Sequence, residues 1–223
     1  MKKVIKTCIA AMLFLSAILL IIPARTQASD QNKKEWNVYR KTEKIEKKAE
    51  KAKETYRRLL NELLLKPGED SGPSGDIYFL CDDMNGDGVP ELLLQYGLPS
   101  DEECRQRIYV YRNRRAKCIY KSTDGRRMVR YYPQSRFLME TGDRTGWTLI
   151  RYYKMAGKTM TLYAQAQEPD GYMASSYGGR YNIKNKNVSK RRFNKYIRKA
   201  TRRKSGKKIE PIPNTEENIY LKL

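Results

Sequence analysis

The sequence predicts an α+β protein: a long N-terminal helix, an antiparallel β-meander with a strand-loop-strand calcium loop, and a short basic C-terminal helix. Three observations lead there. Residues 31–66 contain no Gly or Pro and repeat their less polar side chains in steps of three and four, the spacing of a helical stripe. From residue 76 the pattern changes to short β-branched and aromatic runs separated by turn residues, as in a sheet. Between the first two of these runs lies Asp82-Asp83-Met84-Asn85-Gly86-Asp87-Gly88-Val89-Pro90-Glu91, dense in oxygen side chains at alternate positions.

The chain opens with Lys2, Lys3 and Lys6, continues through an apolar run over residues 8–22, and reaches Pro23 and a small-residue site ending at Ala28. This pattern predicts a secretory signal peptide over 1–28, cleaved after Ala28. The alternative is a retained membrane anchor, but the apolar run falls short of the roughly 20 residues that span a bilayer. Loss of Lys2, Lys3, Lys6 and Arg25 with that leader takes the net charge from +21 to +17. So basic an exported protein is expected to meet an anionic wall polymer, a glycan or a membrane surface; nucleic acid is not its expected partner. Its oligomeric state is left open by the sequence.

Cys8 belongs to the leader, which leaves Cys81, Cys104 and Cys118. An odd number means at least one free thiol or a bond to another chain. Cys104 with Cys118 is the expected pair, and Cys81, beside an apolar strand, is expected to pack as a small hydrophobe.

Residues 29–66 form the first segment. Val38, Thr42, Ile45, Ala49, Ala52, Tyr56, Leu59 and Leu63 make its stripe, with Glu43–Lys47 and Glu54–Arg58 pairs one turn apart on the charged faces. Ala49 and Ala52 bury little, so a single amphipathic helix is preferred over a coiled-coil dimer. Its C-terminal half, from Tyr56, is expected to dock on the following domain. Pro67, Gly68, Gly72, Pro73 and Gly75 then mark a linker over 67–75.

Residues 76–183 form the expected β domain. Strands are predicted over 77–81, 92–96, 108–111, 118–120, 128–132, 136–140, 147–155 and 158–167. Turns are predicted at Asp124-Gly125, Thr141-Gly142-Asp143, Ala156-Gly157 and Pro169-Asp170-Gly171, with Ala156-Gly157 a tight hairpin. Residues 184–223 form the last segment. Ser189 is a predicted N-cap, Phe193, Tyr196, Ile197 and Ala200 form the buried face, and Lys and Arg cover the rest with no acid between 184 and 208. Thr215 is placed to cap a last turn carrying Ile219 and Leu221, folding the C-terminus back on the domain.

In the loop, Asp83 takes the first ligand position, Asn85 the third, Asp87 the fifth, the Val89 carbonyl the seventh and Glu91 the ninth. Gly88 supplies the turn that brings them together. The twelfth position, where a helical EF-hand places a bidentate Glu, is Leu94, and Pro90 leads into a strand. The expectation is therefore one weak, structural Ca²⁺ site in a hairpin. The alternative is an acidic turn with no metal. Catalysis is poorly supported: the chain has no histidine, which removes Ser-His and Cys-His nucleophile pairs together with imidazole metal sites.

The leader, the charged helix, the Asp-x-Asn-x-Asp-Gly-x-Pro-Glu-Leu loop from Asp83 to Leu92, the tyrosine-rich strands and Val188-Ser189-x-x-x-Phe193-Asn194-Lys195-Tyr196 together resemble a group of exported proteins of clostridial-type gut bacteria. That resemblance implies an extracellular EF-hand-like calcium module with no established reaction, and Asp83, Asn85, Asp87 and Glu91 as its site residues. The expected function is a secreted or cell-surface, calcium-stabilised binding or scaffold module without catalysis. The alternatives are a basic anchor to anionic wall polymer or lipid, and a secreted carboxylate-dependent hydrolase.

Overall fold

The computed structural model describes residues 2–66, 76–98, 104–122, 127–144, 146–157 and 159–223, with side chains of the first helix from Asp30 onward. The leader's side chains, the 67–75 linker and the Asp124-Gly125 turn lie outside the described residues. Two compact units divide the chain, 1–46 and 47–223. Helix α1 (Lys2–Leu65) runs from the first into the second. In the first unit Trp36, Val38 and Tyr39 are exposed, and Trp36 stacks on Tyr39 with ring centroids 5.7 Å apart. Among the described residues, no helix is long and apolar enough to cross a membrane.

The second unit contains the sheets. In chain order come β1 (Ile77–Asp82), β2 (Glu91–Tyr96), β3 (Arg105–Arg112), β4 (Arg115–Lys121), β5 (Arg127–Tyr132), β6 (Phe137–Arg144), β7 (Trp147–Ala156) and β8 (Thr159–Pro169). They are followed by β9 (Arg180–Ile183), β10 (Lys186–Asn187), helix α2 (Lys190–Ala200), β11 (Lys207–Lys208), β12 (Ile212–Pro213) and helix α3 (Glu216–Lys222). All pairings are antiparallel, in a five-stranded sheet of order β12-β1-β2-β3-β4 and a seven-stranded sheet of order β10-β9-β8-β7-β6-β5-β11.

This corrects the α+β expectation of one meander flanked by helices. The protein is mostly antiparallel β-sheet, with one main helix near the N-terminus and two short C-terminal helices. The physical reason lies in β2, which is buried at all six positions. A strand buried on both faces, Glu91, Leu93 and Gln95 on one and Leu92, Leu94 and Tyr96 on the other, needs cover on both, and a single open sheet covers only one. The chain therefore changes sheets between β4 and β5. Leu93, Ile108 and Met84 meet Met128, Tyr131, Leu138 and Met155 in the core between the sheets. On the other face of β2, Leu92 and Leu94 are fully buried, and Tyr56 of α1 reaches across to donate its hydroxyl to the carbonyls of Pro90 (3.2 Å) and Tyr109 (3.4 Å).

The buried row of α1 is Ala52, Tyr56 and Leu60, each fully buried. The heptad reading placed Leu59 and Leu63 there; contact with a sheet instead follows the straight i, i+4 row of the helix. A second correction concerns Thr141-Gly142-Asp143, which lies inside β6 with Gly142 opposite Leu149. A third concerns the tail. Lys207-Lys208 and Ile212-Pro213, read as basic tail, each add an edge strand, one beside β5 and one beside β1. The Ala156-Gly157 hairpin forms, with Ala156 opposite Thr159. Ser189 caps α2 by accepting from the Arg192 N–H (3.3 Å), and Thr215 caps α3 by accepting from that of Asn218 (3.2 Å). Ile219 is buried as expected, while Leu221 is exposed.

Among the described residues Cys81, Cys104 and Cys118 form no disulfide. Cys118 faces Tyr109 across the ladder, whereas Cys104 sits before the first residue of β3, five residues or about 17 Å along the strand. A disulfide needs Cα atoms within about 7 Å, so the expected Cys104–Cys118 bond has no geometry to form.

A polar network joins the sheets. Gln106 of β3 donates through Nε2 to Gln95 Oε1 (3.0 Å) and accepts through Oε1 from the Met128 N–H of β5 (2.6 Å), while its own N–H reaches Ser122 Oγ (2.6 Å). Gln95, Gln106 and Ser122 are all buried. Replacing Gln106 with Leu strands the Met128 N–H and the Gln95 carbonyl, and is expected to cost about 2–4 kcal/mol in denaturant unfolding. A loss below ~0.5 kcal/mol would show that the network contributes nothing to joining the sheets.

Candidate calcium site

The loop is the connection of the β1–β2 hairpin, closed by Asp82 opposite Glu91. Asp83 organises it. Its Oδ1 accepts from the N–H groups of Gly86 (2.8 Å) and Asp87 (3.1 Å), and its Oδ2 from that of Gly88 (2.8 Å). Asp87 Oδ1 then accepts from the Val89 N–H (2.9 Å), turning the chain toward β2. Gly86 and Gly88 have φ of +71° and +85°, a region that costs a side-chain-bearing residue about 1–2 kcal/mol. Gly86 is doubly constrained, because a Cβ there would meet the Pro133 carbonyl oxygen at 2.6 Å.

The predicted ligands Asp83, Asn85, Asp87 and Val89 are thus gathered on one tight turn. Asn85 is buried, and its Oδ1 has no hydrogen-bond partner. Glu91 is placed differently from the other carboxylates. It is buried and turned inward, where Oε2 accepts from the Met84 N–H (3.0 Å) and Oε1 from Asn85 Nδ2. It therefore braces Asn85 by holding the amide nitrogen, which leaves the amide oxygen as the free end. Burial, with Asp87 and Asp83 adding to it, pushes the Glu91 carboxyl up to about 8, against the lowering by its two donors. The dominant cause is lost solvation, so the carboxyl is held mostly protonated at neutral pH, with the charges of Asp87 and Asp83 a lesser contribution. Leu94, at the position of the missing bidentate ligand, is fully buried in β2.

Among the described residues no group of three or more His, Cys, Asp or Glu side chains is drawn together as a metal cage. The donor set here is of a different kind, since two of its members are an amide and a backbone carbonyl. A partnerless buried amide oxygen beside uncompensated carboxylates is a hard-oxygen set that fits Ca²⁺. Asp83, Asn85, Asp87 and the Val89 carbonyl would hold the ion, with Glu91 as the brace that orients Asn85.

Asp82, the spare carboxylate of the loop, is otherwise engaged. It accepts from the Asp83 N–H (2.8 Å) and the Tyr131 hydroxyl, and pairs with Lys207 at 3.3 Å. Tyr131, Pro133 and Lys207 are thus neighbours of the site that sequence reasoning missed. Each lies far from the loop along the chain, on elements brought beside it by the second sheet, and no local spacing signals them. Comparison with protein-family models, curated proteins and solved structures finds no match to this chain, so function must be argued from this geometry.

Substituting Gly86 with Ala is expected to destabilise the protein by about 2 kcal/mol or more, through the positive φ and the closeness of Pro133 together. Equal denaturation midpoints for the variant and wild type would refute this account of the turn. Burial also pushes the adjacent Cys81 thiol up to about 12, with Asp82 and Glu91 adding and Lys53 opposing. Alkylation of Cys81 at pH 8, followed by mass spectrometry, should therefore run roughly 10²–10³-fold slower in the folded than in the unfolded chain.

Proposed function

We propose that this protein is an exported or cell-surface binding or scaffold module, non-catalytic, whose β1–β2 hairpin is clipped by one calcium ion. The observation that carries the reading is the Asn85 carbonyl oxygen, buried without a partner in the loop that also bears Asp83, Asp87 and Glu91. A buried polar atom left unpaired costs about 1–3 kcal/mol, and a hard cation offsets that cost as it also neutralises the carboxylates. Among the described residues none of those three carboxylates is ion-paired.

Without a bidentate closing ligand, affinity belongs to the range of extracellular modules, roughly 10⁻⁴–10⁻³ M. Such a site fills outside a cell and stays empty inside one, which agrees with the leader-like N-terminus. It acts as a structural clip. The non-catalytic part of the reading is supported by the lack of histidine and by the position of Glu140. That buried carboxylate is occupied by the Tyr120 and Tyr153 hydroxyls and Arg151.

Calcium titration with thermal melting tests the clip. At ten times the dissociation constant the ion should add about 1.4 kcal/mol, a rise of roughly 3–6 °C for a domain of this size. Magnesium should give much less, because it demands a regular octahedron. Asp87→Asn should abolish the calcium response while leaving the metal-free protein as stable or slightly more so, since it removes a charge beside Glu91. A melting temperature of the wild type that does not move in millimolar calcium removes the proposal.

A further inference from the structure

Helix α2 and the turn after it present a second site, distinct from the calcium loop. Arg191, Lys195, Arg198, Lys199, Arg202 and Arg203 line one shallow depression of about 750 Å³, with Asn194 as its other wall residue. No carboxylate borders it, and among the described residues none of the six cations is ion-paired. Lys190, one residue before this face, differs in pairing with Glu168 at 3.1 Å.

The backbone adds an independent observation. Arg202 and Arg203 both have left-handed φ, 54° and 57°, although neither is glycine. The turn is held by N–H donation from Arg202 to the Lys199 carbonyl (3.1 Å) and from Arg203 to that of Arg198 (2.7 Å). The buried Thr201 braces it through its hydroxyl to the Ile197 carbonyl (2.9 Å). A strained turn is thus used to return two guanidinium groups to a face that is already cationic. Strain of this kind is retained where the placement has a use.

The geometry points to a docking face for a linear anionic polymer of phosphodiester type, such as a wall polymer. Four of the six cations are arginine, whose planar fork meets phosphate oxygens bidentately. Arg191, Lys195 and Arg198 follow each other at four and three residues, about 5 Å apart along the axis, so they can engage successive phosphates of one chain. A lipid surface fits less well. The apolar side chains of α2, Phe193 and Ile197, are buried against Ala164, Ala166, Tyr181 and Ile183 of the sheet, and Tyr196 stacks on Tyr163 at 5.5 Å. The exposed side therefore has nothing apolar to insert between acyl chains.

This inference deepens the cell-surface reading by naming a ligand class, and it does not depend on calcium. The test measures binding of the full chain to poly(glycerol phosphate), in EGTA and at several salt concentrations. The wild type should bind with affinity that falls steeply with salt. Arg198→Gln/Arg202→Gln should reduce the log–log salt slope by about 2 and weaken binding at least about tenfold. Arg115→Gln/Lys117→Gln on β4, the same charge change at exposed positions, should have less than about a third of that effect on the slope. Circular dichroism and melting establish that both variants fold.

Equal losses in the two variants would mean that binding follows net charge, and would overturn the site. An unchanged slope in the α2 variant, or binding that appears only with calcium, would overturn it as well. Tighter binding to vesicles of anionic phospholipid than to the polymer would reassign the face to lipid. Because all polymer measurements are made in EGTA, failure here leaves the calcium clip standing, and failure of the clip leaves this face standing.

Discussion

The carboxylate of Asp83 is the constraint on which the hairpin depends. One side chain accepts from the N–H groups of Gly86, Asp87 and Gly88, and so turns the chain through a loop that has no regular pairing of its own. The turn fixes Asp82 opposite Glu91, and that pair sets the register for Phe79 opposite Leu94 and Leu80 opposite Leu93. A one-residue slip would exchange the two faces of β2. Because Leu93 belongs to the core between the sheets and Leu92 and Leu94 to the face under α1, register here decides both packing layers. The loop therefore acts on the architecture before any ion is considered.

Much of this was legible in the sequence. Apolar and aromatic runs located eight strands to within a few residues, because their alternation is local and the turns between them carry Gly, Asp and Asn. The caps Ser189 and Thr215 and the buried face of α2 were equally plain, since a cap and a helical stripe need only a few neighbouring residues. The turn itself was legible, because Asp83, Gly86, Asp87 and Gly88 carry the side-chain acceptors and positive φ that a tight loop needs.

What the sequence hid was global. Alternation says which residues share a face of a strand but not which sheet the strand joins, so the crossing between β4 and β5 left no mark. Gln95 and Gln106 are polar residues whose burial no local pattern announces, and they satisfy each other and the Met128 N–H in the interior. Lys207-Lys208 and Ile212-Pro213 are too short to announce themselves as strands, and exist because β5 and β1 had open edges to fill. Glu91 was read as a ligand like Asp83. Its inward orientation follows from strand parity and from the donors at Met84 and Asn85, neither of which its spacing reveals.

Two groups of like charge stand out in the second unit. Asp83 and Asp87 share the turn between β1 and β2, and six cations without an ion pair among the described residues line the depression on α2 and the turn after it, while Lys207 stands 3.3 Å from Asp82. Grouping of this sort is unfavourable for the isolated chain, because each cluster repels itself and surface pairing at a distance returns little. It becomes favourable when each cluster has a counter-ion of matching form. A compact divalent cation would suit two carboxylates, an amide oxygen and a backbone carbonyl on a tight turn. An extended row of phosphates suits cations spaced along a helix. The same physical requirement, relief of like charge, underlies both proposals.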